Sequence, residues 1–249
     1  MKKVGILIDF DNIFPKPINE YSNGEVNNVV ISVINKVRQD HHDADMMEFM
    51  LYGCWYSGNA FTPRASTLGA MLPSLNGVFP ILELPSTRIN GTVILATELY
   101  GSSFTWVNSY REKPGIPKLR IDTTQMSATC NTAPDHCPVK ILKKFTEKKT
   151  KACKNTGCTT NHSSVFFERT QKYVDTMLAC DVISYSLDED VIAVYVLSDD
   201  VDIFPSFSVS SELPSSHTDL HLMIVNDQNE ANYRHFLNPF NVEVSLLTY

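Results

Sequence analysis

Short apolar runs recur along the chain, separated by segments in which apolar residues return every three or four positions. Lys3 to Phe10, Met46 to Tyr52 and Thr92 to Ala96 are runs of strand length ending in polar residues, and the pattern predicts buried strands there. Between them, Val29, Val30, Val33, Ile34 and Val37 fall on one face of a helix predicted over Asn27 to Gln39. Leu68, Met71, Leu72 and Leu75 do the same over Arg64 to Leu75. A longer helix is predicted over Phe167 to Ser186, followed by the most hydrophobic strand, Val191 to Leu197, and by strands at Leu220 to Val225 and Val242 to Leu247. The order is β-α-β-α-β, an insertion, then α-β-α-β-β. Such alternation predicts an α/β fold with a mostly parallel sheet, right-handed crossovers and helices on its faces. Ligands of such sheets bind beyond the carboxyl ends of the strands.

The region 114–162 breaks this rhythm, being poor in apolar runs and rich in Cys, Thr, Lys, Pro and Asn, and reads as an insertion in a single domain spanning 1–249. With 43% hydrophobic residues and 10 Gly in 249, the chain is neither disordered nor collagen-like. No apolar run approaches the ~20 residues of a bilayer span. Asp9 and Asp11 interrupt the apolar stretch after Met-Lys-Lys before a signal peptide is complete, so a cytoplasmic location away from membranes is expected. The net charge of −7 argues against a protein that coats nucleic acid by bulk charge, but leaves room for local basic patches.

The chemistry concentrates where strands end. Asp9, followed by Asp11 and Asn12, closes the first strand; Ser198, Asp199, Asp200 and Asp202 follow the most hydrophobic one. Carboxylates this dense repel one another unless solvated, protonated or bound to a cation, and a hard ion such as Mg²⁺ or Mn²⁺ suits all-oxygen ligands. Lys172 and Asp175, three apart, share a helical face that could meet the site, whereas Asp181, six beyond Asp175, points elsewhere and is expected in an outer position or at the surface. Asp11 and Asp199 read more readily as turn or capping residues. Asn12 would bind a phosphate, orient Asp9 or cap a turn; Ser198 would position Asp200 or a water, or cap a helix.

Three separated segments resemble the NYN family of PIN-like, metal-dependent ribonucleases. Ile8-Asp9-Phe10-Asp11-Asn12 resembles the family's first-strand Asp-x-x-Asn, and Lys172-Tyr173-Val174-Asp175 its Lys-Gly-Val-Asp helix. Ser198 to Pro205 resembles its Ser-x-Asp-x-Asp-Phe-x-Pro turn. The likeness covers roughly residues 1–110 and 165–225. It implies a Rossmann-like three-layer PIN/NYN fold and an endoribonuclease in which Asp9, Asp175, Asp200 and Asp202 are catalytic and hold Mg²⁺ or Mn²⁺. Asp9 and Asp200 would hold the metal and Asp175 and Asp202 complete its hydrated shell, with water attacking phosphorus in line. Asn12, Lys172 and Ser198 would contact the RNA. Tyr173 stands where Gly is common, Asp199 where a small residue is common and Ile203 where Phe is common. Two other readings remain: a haloacid-dehalogenase-like phosphatase, because Asp9-Phe10-Asp11 resembles its Asp-x-Asp nucleophile, although Ile13 and Phe14 supply no hydroxyl, and a catalytically inactive RNA-binding module.

In the insertion, six residues separate Cys130 from Cys137 and four separate Cys153 from Cys158. Two such pairs are candidate ligands of a structural Zn²⁺, with free thiols on a loop or disulfides as the alternatives. Cys54 and Cys180 read as buried small hydrophobes. Lys140, Lys143, Lys144, Lys148, Lys149, Lys151 and Lys154 form a local basic patch, either a solvated face or a guide for a phosphate backbone. Tyr52, Trp55, Tyr56 and Tyr110 either stack a base or pack the core. Assembly into a homo-oligomer is left open.

Overall fold

The structure, a computed structural model, describes residues 1–16, 20–83, 87–114, 167–213 and 217–249. It divides into two compact units, Met1–Tyr110 with Gln171–Tyr249, and Arg111–Thr170. In the first, strand β1 (Lys3–Asp9) leads through a four-residue helix α1 (Phe10–Ile13) to helix α2 (Asn23–Asp40) and strand β2 (Met46–Tyr52). A short hairpin, β3 (Tyr56–Ser57) and β4 (Ala60–Phe61), precedes helix α3 (Pro63–Asn76), an edge strand β5 (Ile81–Glu83) and strand β6 (Thr87–Leu95). Of the second unit, the described residues belong to β7 (Tyr110–Pro114) and β8 (Phe167–Gln171), which are neighbours in one sheet. The chain then forms helix α4 (Val174–Ser186), strand β9 (Val191–Leu197), helix α5 (Phe204–Ser211), strand β10 (Asp219–Ile224), helix α6 (Glu230–Leu237) and strand β11 (Val242–Leu246).

The central sheet has the order β11-β10-β9-β1-β2-β6-β5 and is parallel except where β5 pairs antiparallel with β6. Alternation along its strands sends side chains to two separate cores. Val4, Ile6 and Ile8 of β1, with Ala193, Tyr195 and Leu197 of β9, pack against the apolar faces of α2 and α3. Leu7, Val194 and Val196 pack on the opposite side with α4, α5 and α6. The expected mixed α/β architecture, a mostly parallel sheet flanked by helices, is therefore present. Gly5 lets α4 lie close: a side chain there would place its Cβ 2.6 Å from the ring of Tyr185, which is itself stacked on Tyr100 at 3.8 Å.

Three expectations change in detail. Helix α2 begins at Asn23 because Ser22 and Glu25 form a reciprocal capping box ahead of the apolar stripe. The segment predicted as one helix over Phe167 to Ser186 is a strand, a left-handed residue at Tyr173 (φ 71°) and then α4. Between β10 and β11 lies α6, which parallel pairing requires as a crossover. The segment is hard to read from sequence because α6 is only eight residues long, mostly polar, and buries a single residue, Leu237. The residues 115–162 of the predicted insertion, with Cys130, Cys137, Cys153, Cys158 and the lysine patch, lie outside the described residues. Among the described residues, no helix is long and apolar enough to cross a membrane.

Candidate acidic site

The strand order places a topological switch between β1 and β9. From β1 the chain winds outward through β2 and β6, then returns to β9 on the other side and winds outward through β10 and β11. Crossover connections leave in opposite directions at that point and open a crevice at the carboxyl ends. Asp9 ends β1, and Ser198 to Asp202 follow β9 directly.

Asp9 is 5% exposed. Its Oδ2 accepts the Ser198 hydroxyl at 3.0 Å and its Oδ1 the Asn12 amide at 3.2 Å, so Asp9 also caps α1. Ser198 Oγ in turn accepts the Asp200 amide at 3.1 Å, coupling the two strand ends through one hydroxyl. Asp200 Oδ1 accepts the Asp202 amide at 2.9 Å and so caps the 3₁₀ turn Val201–Ile203. Asp175 stands in the first turn of α4, where the helix dipole favours an anion. Burial pushes the Asp9 carboxyl up to about 7, and the negative charges of Asp175 and Asp11 add to this, against the Ser198 and Asn12 hydrogen bonds. The Asp175 carboxyl is also raised, by partial burial and then by Asp200, Asp202 and Asp11. Asp175 thus sits within electrostatic reach of Asp9, Asp200 and Asp202.

The neighbouring acids are engaged otherwise. Asp199 Oδ1 accepts the amides of Val225 and Asn226 at 3.1 and 3.3 Å, tying the turn after β9 to the end of β10. Its own amide donates to Asn12 Oδ1 at 3.1 Å. Asp11 pairs with Arg64 Nε at 2.7 Å and accepts the Cys54 amide at 2.7 Å. Arg64 was not foreseen. It occupies the first turn of α3, where the dipole disfavours a cation, and that misplacement is the one local hint that it has a specific partner.

Asn12 and Lys172 are exposed at the site's edge and Ser198 is buried beneath it. Asp181 is not at the surface: it is fully buried on the apolar stripe of α4, accepting the Tyr52 hydroxyl at 2.6 Å and the Tyr100 amide at 2.8 Å. Cys180 is exposed and Cys54 half-buried, so neither is the buried hydrophobe expected from sequence. Burial and Asp11 push the Cys54 thiol far up, which leaves it protonated and a poor nucleophile. Tyr52 and Trp55 belong to the core, whereas Tyr56 and Tyr110 are half-buried.

Among the described residues, the three-residue group whose ligand atoms all lie within 4.8 Å of one another is Asp40, His221 and Glu243, near the amino ends of β10 and β11. There Lys36 Nζ already bridges Asp40 at 2.8 Å and Glu243 at 3.1 Å. The carboxylates at the switch point are more widely set. A cation held there would be a small hard one that keeps several of its waters and takes one or two carboxylates directly, as Mg²⁺ does. The donor chemistry fits: Asp9 is held by a hydroxyl and an amide, and the surrounding charge is negative.

Comparison of the chain with protein-family models, with curated proteins and with solved structures finds no match.

Proposed function

We propose that the protein is a metal-dependent nuclease that hydrolyses phosphodiester bonds of RNA, cutting internally, at the switch point between β1 and β9. The observation that carries this reading is the joining of the two strand ends at the switch point, where Ser198 ties Asp9 of β1 to the turn of Asp200 and Asp202 after β9 and the first turn of α4 brings Asp175 within electrostatic reach. Asp9, Asp175, Asp200 and Asp202 would hold Mg²⁺ or Mn²⁺. When bound, such a cation supplies Lewis acidity to the phosphoryl oxygens and makes water more acidic. The chain itself fixes the frame: Ser198 locks Asp9 to Asp200, Asn12 links Asp9 to Asp199, and Arg64 neutralises Asp11 so that it adds less repulsion. Lys172 and Asn12, exposed at the rim, would meet the RNA backbone.

A phosphatase using Asp9 as nucleophile is less well supported, because Ile13 and Phe14, which follow Asp9-Phe10-Asp11, supply no hydroxyl. A structural Zn²⁺ on Cys130, Cys137, Cys153 and Cys158 is proposed from the sequence alone. The test of function is incubation of labelled single-stranded and structured RNA with Mg²⁺, Mn²⁺ or EDTA. Cleavage that requires the metal supports the reading, and binding without cleavage replaces it with an RNA-binding module.

A prediction independent of turnover follows from the crowded carboxylates. Mn²⁺ at a hundred times its dissociation constant should stabilise the fold by about 2.7 kcal/mol, read as a rise in the thermal midpoint. Asp9→Asn should abolish most of that rise. An equal rise in the variant would place the ion elsewhere.

A further inference from the structure

Beside the acid site, three aromatic side chains from two segments lie together. Phe104 and Trp106 come from the loop after β6, and Tyr173 precedes α4, two residues before Asp175. The ring centroids of Phe104 and Trp106 are 5.3 Å apart and those of Trp106 and Tyr173 5.6 Å. Phe104 is 64% exposed and Tyr173 40%. Trp106 between them is half-buried and rests on the core, so the two open rings flank an anchored one.

The arrangement is held in place from several sides. The Trp106 amide donates to Thr97 O at 2.7 Å, Thr105 Oγ1 to Glu98 Oε1 at 2.9 Å, and the Asn108 amide to Gly58 O at 2.9 Å. The Lys172 amide donates to Ser109 O at 2.8 Å, fastening the loop to the segment that carries Tyr173. Tyr173 adopts a φ of 71°, a conformation that strains a residue with a Cβ and costs Gly little. A bulky aromatic retained at such a position points to use of its ring.

We propose that Phe104, Trp106 and Tyr173, inclined to one another by 75° and 52°, form an aromatic cluster whose open faces stack unpaired bases beside the acid site, which makes the substrate a single-stranded polynucleotide. The inference rests on the nuclease reading above and specifies its substrate class. Aromatic faces accept any base that is free of its neighbours, whereas bases inside a duplex present no face. The exposed Lys172 sits next to Tyr173, where a backbone phosphate leading into the site would pass. With a net charge of −7 the protein cannot rely on bulk charge to hold a polyanion, and stacking supplies affinity that salt does not screen.

The test uses the full-length Asp200→Asn protein with Mg²⁺, so that bound RNA survives. The chain has two tryptophans, of which Trp55 is buried, so quenching by an added ligand reports on Trp106. An oligouridylate of about twelve nucleotides should quench the emission, and an RNA duplex of the same length should not. Phe104→Ala and Tyr173→Gly, each added to Asp200→Asn, should weaken binding of labelled oligouridylate roughly tenfold, the loss expected for one stacked base. Tyr173→Gly should leave the thermal midpoint unchanged or higher, because it relieves the backbone. Equal binding of duplex and single strand, or unchanged affinity in both variants, overturns the stacking cluster. Metal-dependent cleavage by the wild type alongside that negative result would sink the cluster and spare the nuclease. Single-strand-specific quenching by a protein that cuts nothing would do the reverse.

Discussion

Asp200→Asn should lose Mn²⁺-dependent cleavage of single-stranded RNA by more than about a hundredfold while Asp199→Asn, one residue away, keeps most of it. Loss of a group that merely supports a metal ligand already costs roughly 10–100-fold, so loss of a ligand exceeds that range. Asp200 faces the crevice, where it raises the Asp175 carboxyl. Its Oδ1 also accepts the Asp202 amide, a bond that asparagine can keep, so the turn should survive the substitution. Asp199 turns the other way, and its Oδ1 receives two amides from the end of β10. An asparagine oxygen accepts both, leaving the tie between β9 and β10 in place. The comparison is made with initial rates at saturating Mn²⁺ and with the thermal midpoint of each variant. Equal losses in the two variants would mean that the acids after β9 act through the shape of the turn and not through a cation.

That division of labour among neighbouring acids marks where the sequence stops being informative. Asp9 and Asp200 are legible because a strand's end is a local property, visible as an apolar run giving way to carboxylates. Which of Asp199, Asp200 and Asp202 faces the crevice depends on a 3₁₀ turn and on amides from β10, and neither has a periodicity. The partner of Asp11 is Arg64, on another helix, and no spacing rule reaches that far. The start of α2 was available in Ser22-x-x-Glu25, whereas a reading from the first apolar position begins the helix four residues late. Tyr173 is the opposite case. Nothing in the residue type announces a positive φ, since tyrosine avoids it, and the conformation follows from the strand's join to α4. Phe104 and Trp106 were missed for a related reason: loop aromatics follow no pattern, and their meeting with Tyr173 is tertiary.

Asp181 could have been located by pattern, and its burial has a measurable consequence. Val174, Met177, Leu178, Asp181, Val182 and Tyr185 occupy one stripe of α4, so a carboxylate falls in the middle of an apolar face. Burial pushes it up to about 6, against the Tyr52 and Tyr100 hydrogen bonds that favour its charge. A carboxyl whose folded value lies above its unfolded value of 3.8 is easier to fold when protonated. Its contribution is complete below about pH 4 and is lost as pH rises to about 6, a change of about 3 kcal/mol. His221, pushed down to about 4 mainly by burial, acts in the opposite sense, losing stability as pH falls from 6.5. The sum over the protein therefore hides both, and the informative quantity is the difference between wild type and variant. Asp181→Asn, which cannot ionise, should gain on wild type between pH 4 and pH 7 in urea denaturation. Asp181→Leu should lose about 3 kcal/mol at neutral pH, because the Tyr52 hydroxyl and the Tyr100 amide are left without an acceptor. Both variants also test the link to the site, since α4 carries Asp175 at its first turn and this carboxylate, with Tyr185 on the same helix, ties it to β2 and the loop after β6. The leucine variant should weaken Mn²⁺ binding as well as the fold, whereas the asparagine variant, retaining an acceptor for Tyr100, should leave it intact. A leucine variant that binds Mn²⁺ as tightly as wild type would show that Asp175 is placed by the helix's other contacts.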